Sequence, residues 1–179
     1  MINKIVAVFL TFMSITSIYA SEDKYIKDAL LKYNYGIIKM GKSGETHFFK
    51  EFVKEDVAVK LQVWFESWKF NNLTYIAQIN DLRFSPIAYN EDNATIRTLE
   101  NWTYTYVNLL TRKKALEPRH TFYKMLYTLK KDANKWMIVD IKKLEEETFL
   151  KKERYKPTLD SKKEIPKDDI QAQSLEEKI

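Results

Sequence analysis

The sequence predicts an α+β domain, in which helices come first and a meander of strands follows. Up to Asn72, apolar residues recur every three or four positions, which is the period of an amphipathic helix. After Asn72 they tend to alternate in steps of two, which is the period of a half-buried strand. This order of elements is the main basis for the predicted fold class.

Residues 1–20 have the order of a secretory signal peptide. A short basic start precedes an almost wholly apolar segment at 5–15, and Ala20 supplies a small residue before the charged run that begins at Ser21. The apolar segment is too short to span a bilayer comfortably. We therefore expect cleavage after Ala20 and export. The alternative is that residues 1–20 remain attached and anchor the protein to a membrane.

Composition narrows the class of protein further. The chain has 179 residues, a formal net charge of +5 and no cysteine. Without residues 1–20, its length suits one domain with a single core. An exported domain without disulfides or a lipid-bearing cysteine fits a bacterial periplasm best. Acids are interspersed with the basic residues, which argues against nucleic-acid binding, whereas the positive charge is compatible with contact at an acidic membrane surface.

Three helices are predicted before the sheet. They cover residues 22–40, a short aromatic segment at 45–53, and Val57 to Phe70. The third helix carries a wide apolar face that is about three turns long, formed by Val57, Leu61, Trp64, Phe65 and Trp68. From this face we expect Trp64 to be buried in the core.

Four strands are predicted at 75–84, 94–110, 119–130 and 135–144. Trp136 opens the last strand and is the second expected anchor of the core. Residues 89–93 are expected to form a turn. From Glu145 onward aromatic residues thin out, and the charged composition of 151–179 predicts a tail that buries little surface. The predicted domain therefore covers residues 21–150.

The helix and the strand patterns together resemble the nuclear transport factor 2-like superfamily. The resemblance is carried by the helix Val57 to Phe70, by Thr95 to Trp102, by Tyr123 to Leu129 and by Asn134 to Asp140. It implies a curved antiparallel sheet that wraps around the helices to make a cone with a pocket. Within that superfamily the chain is most similar to the intermembrane-space-type domain of plastid-division proteins and its bacterial relatives. The superfamily contains both enzymes and binding modules, so the fold does not decide the function.

Glu100 is the candidate catalytic residue. It lies on the same side of its strand as Thr98 and Trp102, so strand alternation turns it toward the core. A buried carboxylate needs hydrogen-bond donors or a compensating charge, and sheet-lining acids serve as bases in several enzymes that the resemblance covers. The alternative is a structural acid that a bulge turns outward, or that pairs with Lys124 or Arg97.

Four aromatic residues could line a pocket beside Glu100: Trp102, Tyr104, Tyr123 and Tyr127. Aromatic packing across neighbouring strands explains the same pattern equally well. The sequence pattern is therefore compatible with both an open pocket and a filled core.

Two further features concern glycosylation and metal binding. Asn93 stands in the sequence Glu91-Asp92-Asn93-Ala94-Thr95, which is similar to the acceptor of bacterial oligosaccharyltransferases and falls at a predicted turn. His47 and His120 are the two histidines, and neither has carboxylates at ligand spacing, so no metal site is predicted.

The sequence therefore predicts an exported, periplasmic binding or interaction module that takes a protein or a small apolar ligand and uses no cofactor. The alternatives are a small isomerase or dehydratase with Glu100 as its base, and an envelope assembly subunit that retains residues 1–20 as an anchor.

Overall fold

The computed structural model describes the backbone of residues 2–133 and 135–150, and the side chains of 21–133 and 135–149. The predicted tail at 151–179 lies outside the described residues. Helix α1 spans Ile2–Ser43, a short 3-10 helix spans His47–Glu51, and α2 spans Glu55–Phe70. Five strands follow: β1 (Leu73–Phe84), β2 (Ala88–Asn90), β3 (Asn93–Asn108), β4 (Arg119–Asp132) and β5 (Lys135–Leu150). The α+β prediction is confirmed.

The ends of α2 follow from its sequence. Glu55 and Asp56 lie in its first turn, where carboxylates interact favourably with the positive end of the helix dipole. After Phe70, Asn71 caps the helix and Asn72 adopts a positive φ of 55°, a conformation that asparagine tolerates better than most residues. The chain can therefore reverse and enter β1 at once.

The sheet is antiparallel throughout, in the order β1-β3-β4-β5, with β2 also paired to β3. Helix α1 contacts both β1 and β5, although these strands lie at opposite ends of the sheet. Helix α2 also contacts both strands. The sheet therefore curves around the helices, which gives the cone-like arrangement that the resemblance implies.

The core fills the space between the two helices, the 3-10 helix and the concave face of the sheet. Its most completely buried apolar side chains are Ile26, Leu30, Met40, Phe49, Val53, Phe65, Ile96, Leu129 and Ile138. Gly41 permits the close approach of α1 to β1, because a Cβ atom at this position would collide with the carbonyl oxygen of Tyr75.

The beginning of the predicted mature chain is attached to the far end of the sheet. Glu22 accepts hydrogen bonds from Lys131 Nζ and from Trp136 Nε1, the latter at 2.8 Å. Asp23 accepts one from the Tyr89 hydroxyl at 2.6 Å. Cleavage after Ala20 would leave these contacts in place. Within the described part of the chain, no helix has both the length and the apolar character needed to cross a membrane.

Three details differ from the sequence-based expectations. Trp136 is buried, with 6% of its surface exposed, but Trp64 is 40% exposed and does not anchor the core. Residues 88–90 form the short strand β2, where only a turn was expected. Strand β5 continues to Leu150, past the expected end at Leu144 and through three consecutive glutamates, because an edge strand of an antiparallel sheet can leave one side in water.

A cavity between the helices and the sheet

A cavity of about 610 Å³ lies between α1, α2 and the concave face of the sheet. Most of its wall is aromatic, and the rest includes a buried carboxylate, an amide and an ion pair. The lining residues are Tyr33, Asn34, Ile37, Leu61, Trp64, Trp68, Tyr75, Ala77, Glu100, Trp102, Tyr104, Tyr106, Tyr123, Met125, Tyr127, Lys143 and Glu146. Its size and its largely apolar wall with a few polar groups are typical of a site for a small molecule.

Strand register explains how the sheet supplies this wall. Thr98 pairs with Met125, Glu100 with Tyr123 and Trp102 with Thr121, so even positions of β3 share a face with odd positions of β4. The predicted pocket residues Trp102, Tyr104, Tyr123 and Tyr127 all fall on this face and line the cavity, as does Glu100.

Glu100 is buried, with 3% of its surface exposed, and three neutral donors hold its carboxylate. Oε1 accepts from the hydroxyls of Thr98 and Tyr127, both at 2.7 Å, and Oε2 accepts from Trp102 Nε1 at 2.8 Å. Lys124, a candidate partner from the sequence, is bonded instead to Glu145 at 2.9 Å. The carboxylate therefore faces inward and is fixed in orientation, and the residues that the structure describes leave one acceptor position on Oε2 unused.

Two polar side chains in the cavity wall, Asn34 and Trp68, have no hydrogen-bond partner among the described residues. Asn34 is 3% exposed, and neither its Oδ1 nor its Nδ2 makes a hydrogen bond of normal geometry with the residues that the structure describes. Burial and the charge of Glu100 raise the pKa of the Tyr127 hydroxyl, and a weak interaction of that hydroxyl with the Asn34 amide lowers it by less. The indole Nε1 of Trp68 is also buried without a partner among these residues. Buried polar groups are normally paired, so these atoms need an acceptor and a donor from within the cavity.

Exposed residues mark the mouth of the cavity. Trp64 packs against Tyr75 with ring centroids 5.2 Å apart, and its outer side faces water. Lys143 and Glu146 form an ion pair on β5. The sequence pattern missed these two residues because bulges between Ile138 and Asp140, and between Lys143 and Glu145, each switch the face that β5 turns inward.

Asn34 and Trp68 could have been recognised from the sequence. Asn34 follows Leu30 by four residues and precedes Ile37 by three, so it interrupts an apolar stripe at helical spacing. A polar residue in such a stripe points either to a buried hydrogen bond or to a binding site. Trp68 was assigned to the apolar face of α2, but nothing in the spacing shows that its indole N–H lacks a partner.

Burial raises the pKa of several tyrosines in the wall. For Tyr127 and Tyr33 the main cause is burial, and the negative charge of Glu100 adds to it. The pKa of Tyr75 is raised by burial and by the neighbouring Tyr33 and Tyr106. These hydroxyls therefore remain protonated in the folded protein at a pH where an unfolded tyrosine, with a pKa of about 10, loses its proton.

This shift predicts that the domain loses stability in alkaline solution. Because the folded pKa of Tyr33, Tyr75 and Tyr127 lies above the unfolded value, their contribution is complete below a pH of about 10 and is lost progressively above it. Their ionisation, followed by phenolate absorbance, should coincide with loss of the near-ultraviolet circular dichroism signal. Reversible ionisation of Tyr33, Tyr75 and Tyr127 with this signal intact would contradict the assignment.

The other candidate residues lie away from the cavity. Asn93 is exposed at the start of β3, next to the turn that contains Glu91 at a φ of 53°, so the sequon is accessible. His120 Nδ1 lies 3.0 Å from Thr103 Oγ1, and His47 packs against Phe48. Within the described ranges, no three histidine or carboxylate side chains cluster as metal ligands would.

The curved sheet around two helices places the chain in a class of cone-like α+β domains, and a solved structure supports this assignment. The chain is similar to the intermembrane space region of the chloroplast protein ARC6, with a TM-score of 0.54 over 67% of this chain and 94% of that one. The two sequences are 12% identical, so the similarity concerns the fold. No protein-family model and no curated protein matches the sequence.

Proposed function

We propose that this protein is an exported binding module of the nuclear transport factor 2-like type, whose cavity takes a small, largely apolar ligand with one hydrogen-bonding group. The observation that carries the proposal is the pair of unpartnered polar side chains, Asn34 and Trp68, in the wall of an aromatic cavity. A core that served only packing would gain stability from apolar residues at these positions. A ligand oxygen that accepts from Trp68 and exchanges hydrogen bonds with Asn34 would satisfy both.

Location outside the cytoplasm is part of the proposal. The signal-like order of residues 1–20 supports export to a periplasm, and the similar ARC6 region comes from an intermembrane space. Glu22 and Asp23, which accept hydrogen bonds from side chains of the sheet, lie just after the proposed cleavage site. Retention of residues 1–20 as an anchor is the competing hypothesis. The N-terminal residue of the protein recovered from the cell envelope, Ser21 or Met1, decides between them.

The enzyme hypothesis has one observation in its favour, which is that Glu100 lines the cavity and Oε2 retains an acceptor position. General base catalysis requires a carboxylate that can reach a substrate proton. Here three protein donors already hold the carboxylate, which suits a structural or ligand-orienting role better. We therefore place binding ahead of isomerase or dehydratase chemistry. Interaction with a protein partner remains compatible with the fold.

Two naphthalene derivatives that are similar in shape but differ in one hydroxyl group can test the binding proposal. Naphthylmethanol carries one hydroxyl, and methylnaphthalene is similar in shape but lacks it. We expect the protein to bind naphthylmethanol with quenching of tryptophan fluorescence, and to prefer it over methylnaphthalene by about tenfold after correction for their partitioning from water, which corresponds to one good hydrogen bond.

Asn34→Leu should reduce this preference, because Trp68 alone is then left to bond the hydroxyl. It should also raise the melting temperature, because methyl groups replace two unpartnered buried polar atoms in a side chain of the same branching. Ala77→Phe should block binding by filling the cavity, whereas Ile76→Phe, at the adjacent position where the side chain is exposed, should leave it intact. Absence of binding by both naphthalenes, or equal binding by the wild type and Ala77→Phe, would refute the proposal.

A further inference from the structure

The charge of Glu100 is not balanced within the cavity. Its three hydrogen-bond donors, Thr98, Trp102 and Tyr127, are neutral groups. Among the described residues that line the cavity, Lys143 is the one cation, and it is ion-paired with Glu146. The positive charge of Lys143 is therefore already matched, and Glu100 remains a buried negative charge without a cationic partner on the described cavity wall.

The aromatic rings of the cavity wall also favour a positively charged ligand. The face of an aromatic ring carries partial negative charge and attracts cations within about 6 Å of its centre. Tyr and Trp side chains from both helices and from the sheet line the cavity, so a bound ligand meets aromatic rings on several sides. In addition, Asn34 Oδ1 is an unused acceptor that an N–H group could satisfy.

We propose that the cavity selects a ligand that carries a positive charge, of the class of protonated organic amines with an aromatic or aliphatic body. This inference rests on the proposed binding function and specifies the ligand of the same cavity. An ammonium group bound in the cavity would offset the charge of Glu100 and would donate to Asn34 Oδ1. A neutral ligand leaves the carboxylate unbalanced, and an anion is repelled by it.

The test uses three probes of similar shape and different charge, titrated into the full exported chain near neutral pH with calorimetric detection. The probes are naphthylmethylammonium, naphthylmethanol and naphthoate. We expect the cation to bind about tenfold more tightly than the alcohol, a factor that corresponds to about 1.4 kcal/mol, and the anion to bind more weakly than both. Equal affinity for all three probes, or tighter binding of naphthoate, would overturn the charge assignment while leaving the binding function intact. Failure of every probe to bind would overturn both.

The variant Glu100→Gln tests whether Glu100 causes the preference for the cation over the alcohol. It removes the charge with little change in shape, so the advantage of the cation over the alcohol should fall to less than twofold. Glu145→Gln is the matched control, because Glu145 is an exposed carboxylate on β5 that pairs with Lys124 and does not line the cavity. This control should retain the preference. Persistence of the full preference in Glu100→Gln would contradict the assignment to Glu100. If that variant does not fold, the comparison of the three probes with the wild type still decides the inference.

Discussion

Trp136→Ala is expected to destabilise the domain by about 3–5 kcal/mol, a large share of the total stability of a domain of this size. Trp136 packs against Tyr89 with ring centroids 6.0 Å apart, and its indole N–H donates to Glu22 on α1. Removing it leaves a cavity at the far end of the sheet and takes away the donor that fastens α1 there. Urea unfolding measures the loss as a lower midpoint with an unchanged slope.

Trp64→Ala is the matched control for this prediction. Trp64 is a tryptophan of the same domain, but it is 40% exposed at the mouth of the cavity. Its replacement by alanine therefore creates no internal cavity and should lower the free energy of unfolding by about 1 kcal/mol. Equal losses for the two variants would contradict the placement of Trp136 in the core and of Trp64 at the mouth.

Glu100→Ala is expected to destabilise the domain by about 3–5 kcal/mol. The variant leaves the donors of Thr98, Trp102 and Tyr127 without their acceptor, and each unsatisfied buried donor costs about 1–3 kcal/mol unless water reaches it. Because the cavity opens to solvent, water should satisfy some of these donors. The total loss should therefore lie near the lower end of the summed cost of the three donors. Thermal and urea unfolding provide the measurement.

Glu100→Gln distinguishes the loss of charge from the loss of the acceptors. The remaining oxygen can still accept from Thr98 and Tyr127, but the new amide nitrogen faces the N–H of Trp102, so we expect a loss of about 1–2 kcal/mol. A rise in stability would contradict the view that the hydrogen bonds to Glu100 stabilise the folded domain. It would instead favour an enzyme in which Glu100 is held at a cost for catalysis.

The alternation of residues in β3 and β4 was sufficient to predict which side chains face the interior. Glu100 and Trp102 lie on the inner face as the two-residue period requires, because β3 and β4 pair without a bulge. In β5, by contrast, two bulges change the inner face twice, and no residue in the sequence marks their positions. The ion pair of Lys143 and Glu146 at the cavity was therefore beyond sequence reasoning.

The wide apolar face of α2 shows a second limit of the pattern. Helical spacing placed Trp64 and Phe65 on the same face, and the structure buries Phe65 while Trp64 lies 40% exposed. The two residues are about 100° apart around the helix, so only the position of the sheet decides which edge of the stripe is covered. The position of the sheet relative to α2 also leaves a cavity next to Trp68, where the sequence pattern would equally allow a filled core.

The four indole N–H groups allow a direct test of the central claim, which is that the cavity beside Asn34 and Trp68 is a ligand site. Nitrogen-15 NMR resolves each indole separately, and single Trp→Phe variants assign them. On titration with naphthylmethanol, the Trp68 signal should shift most, because its N–H gains an acceptor. The Trp136 signal should remain fixed, because its N–H is bonded to Glu22 away from the cavity. A Trp68 signal that does not respond, or one that moves no more than that of Trp136, would contradict the account.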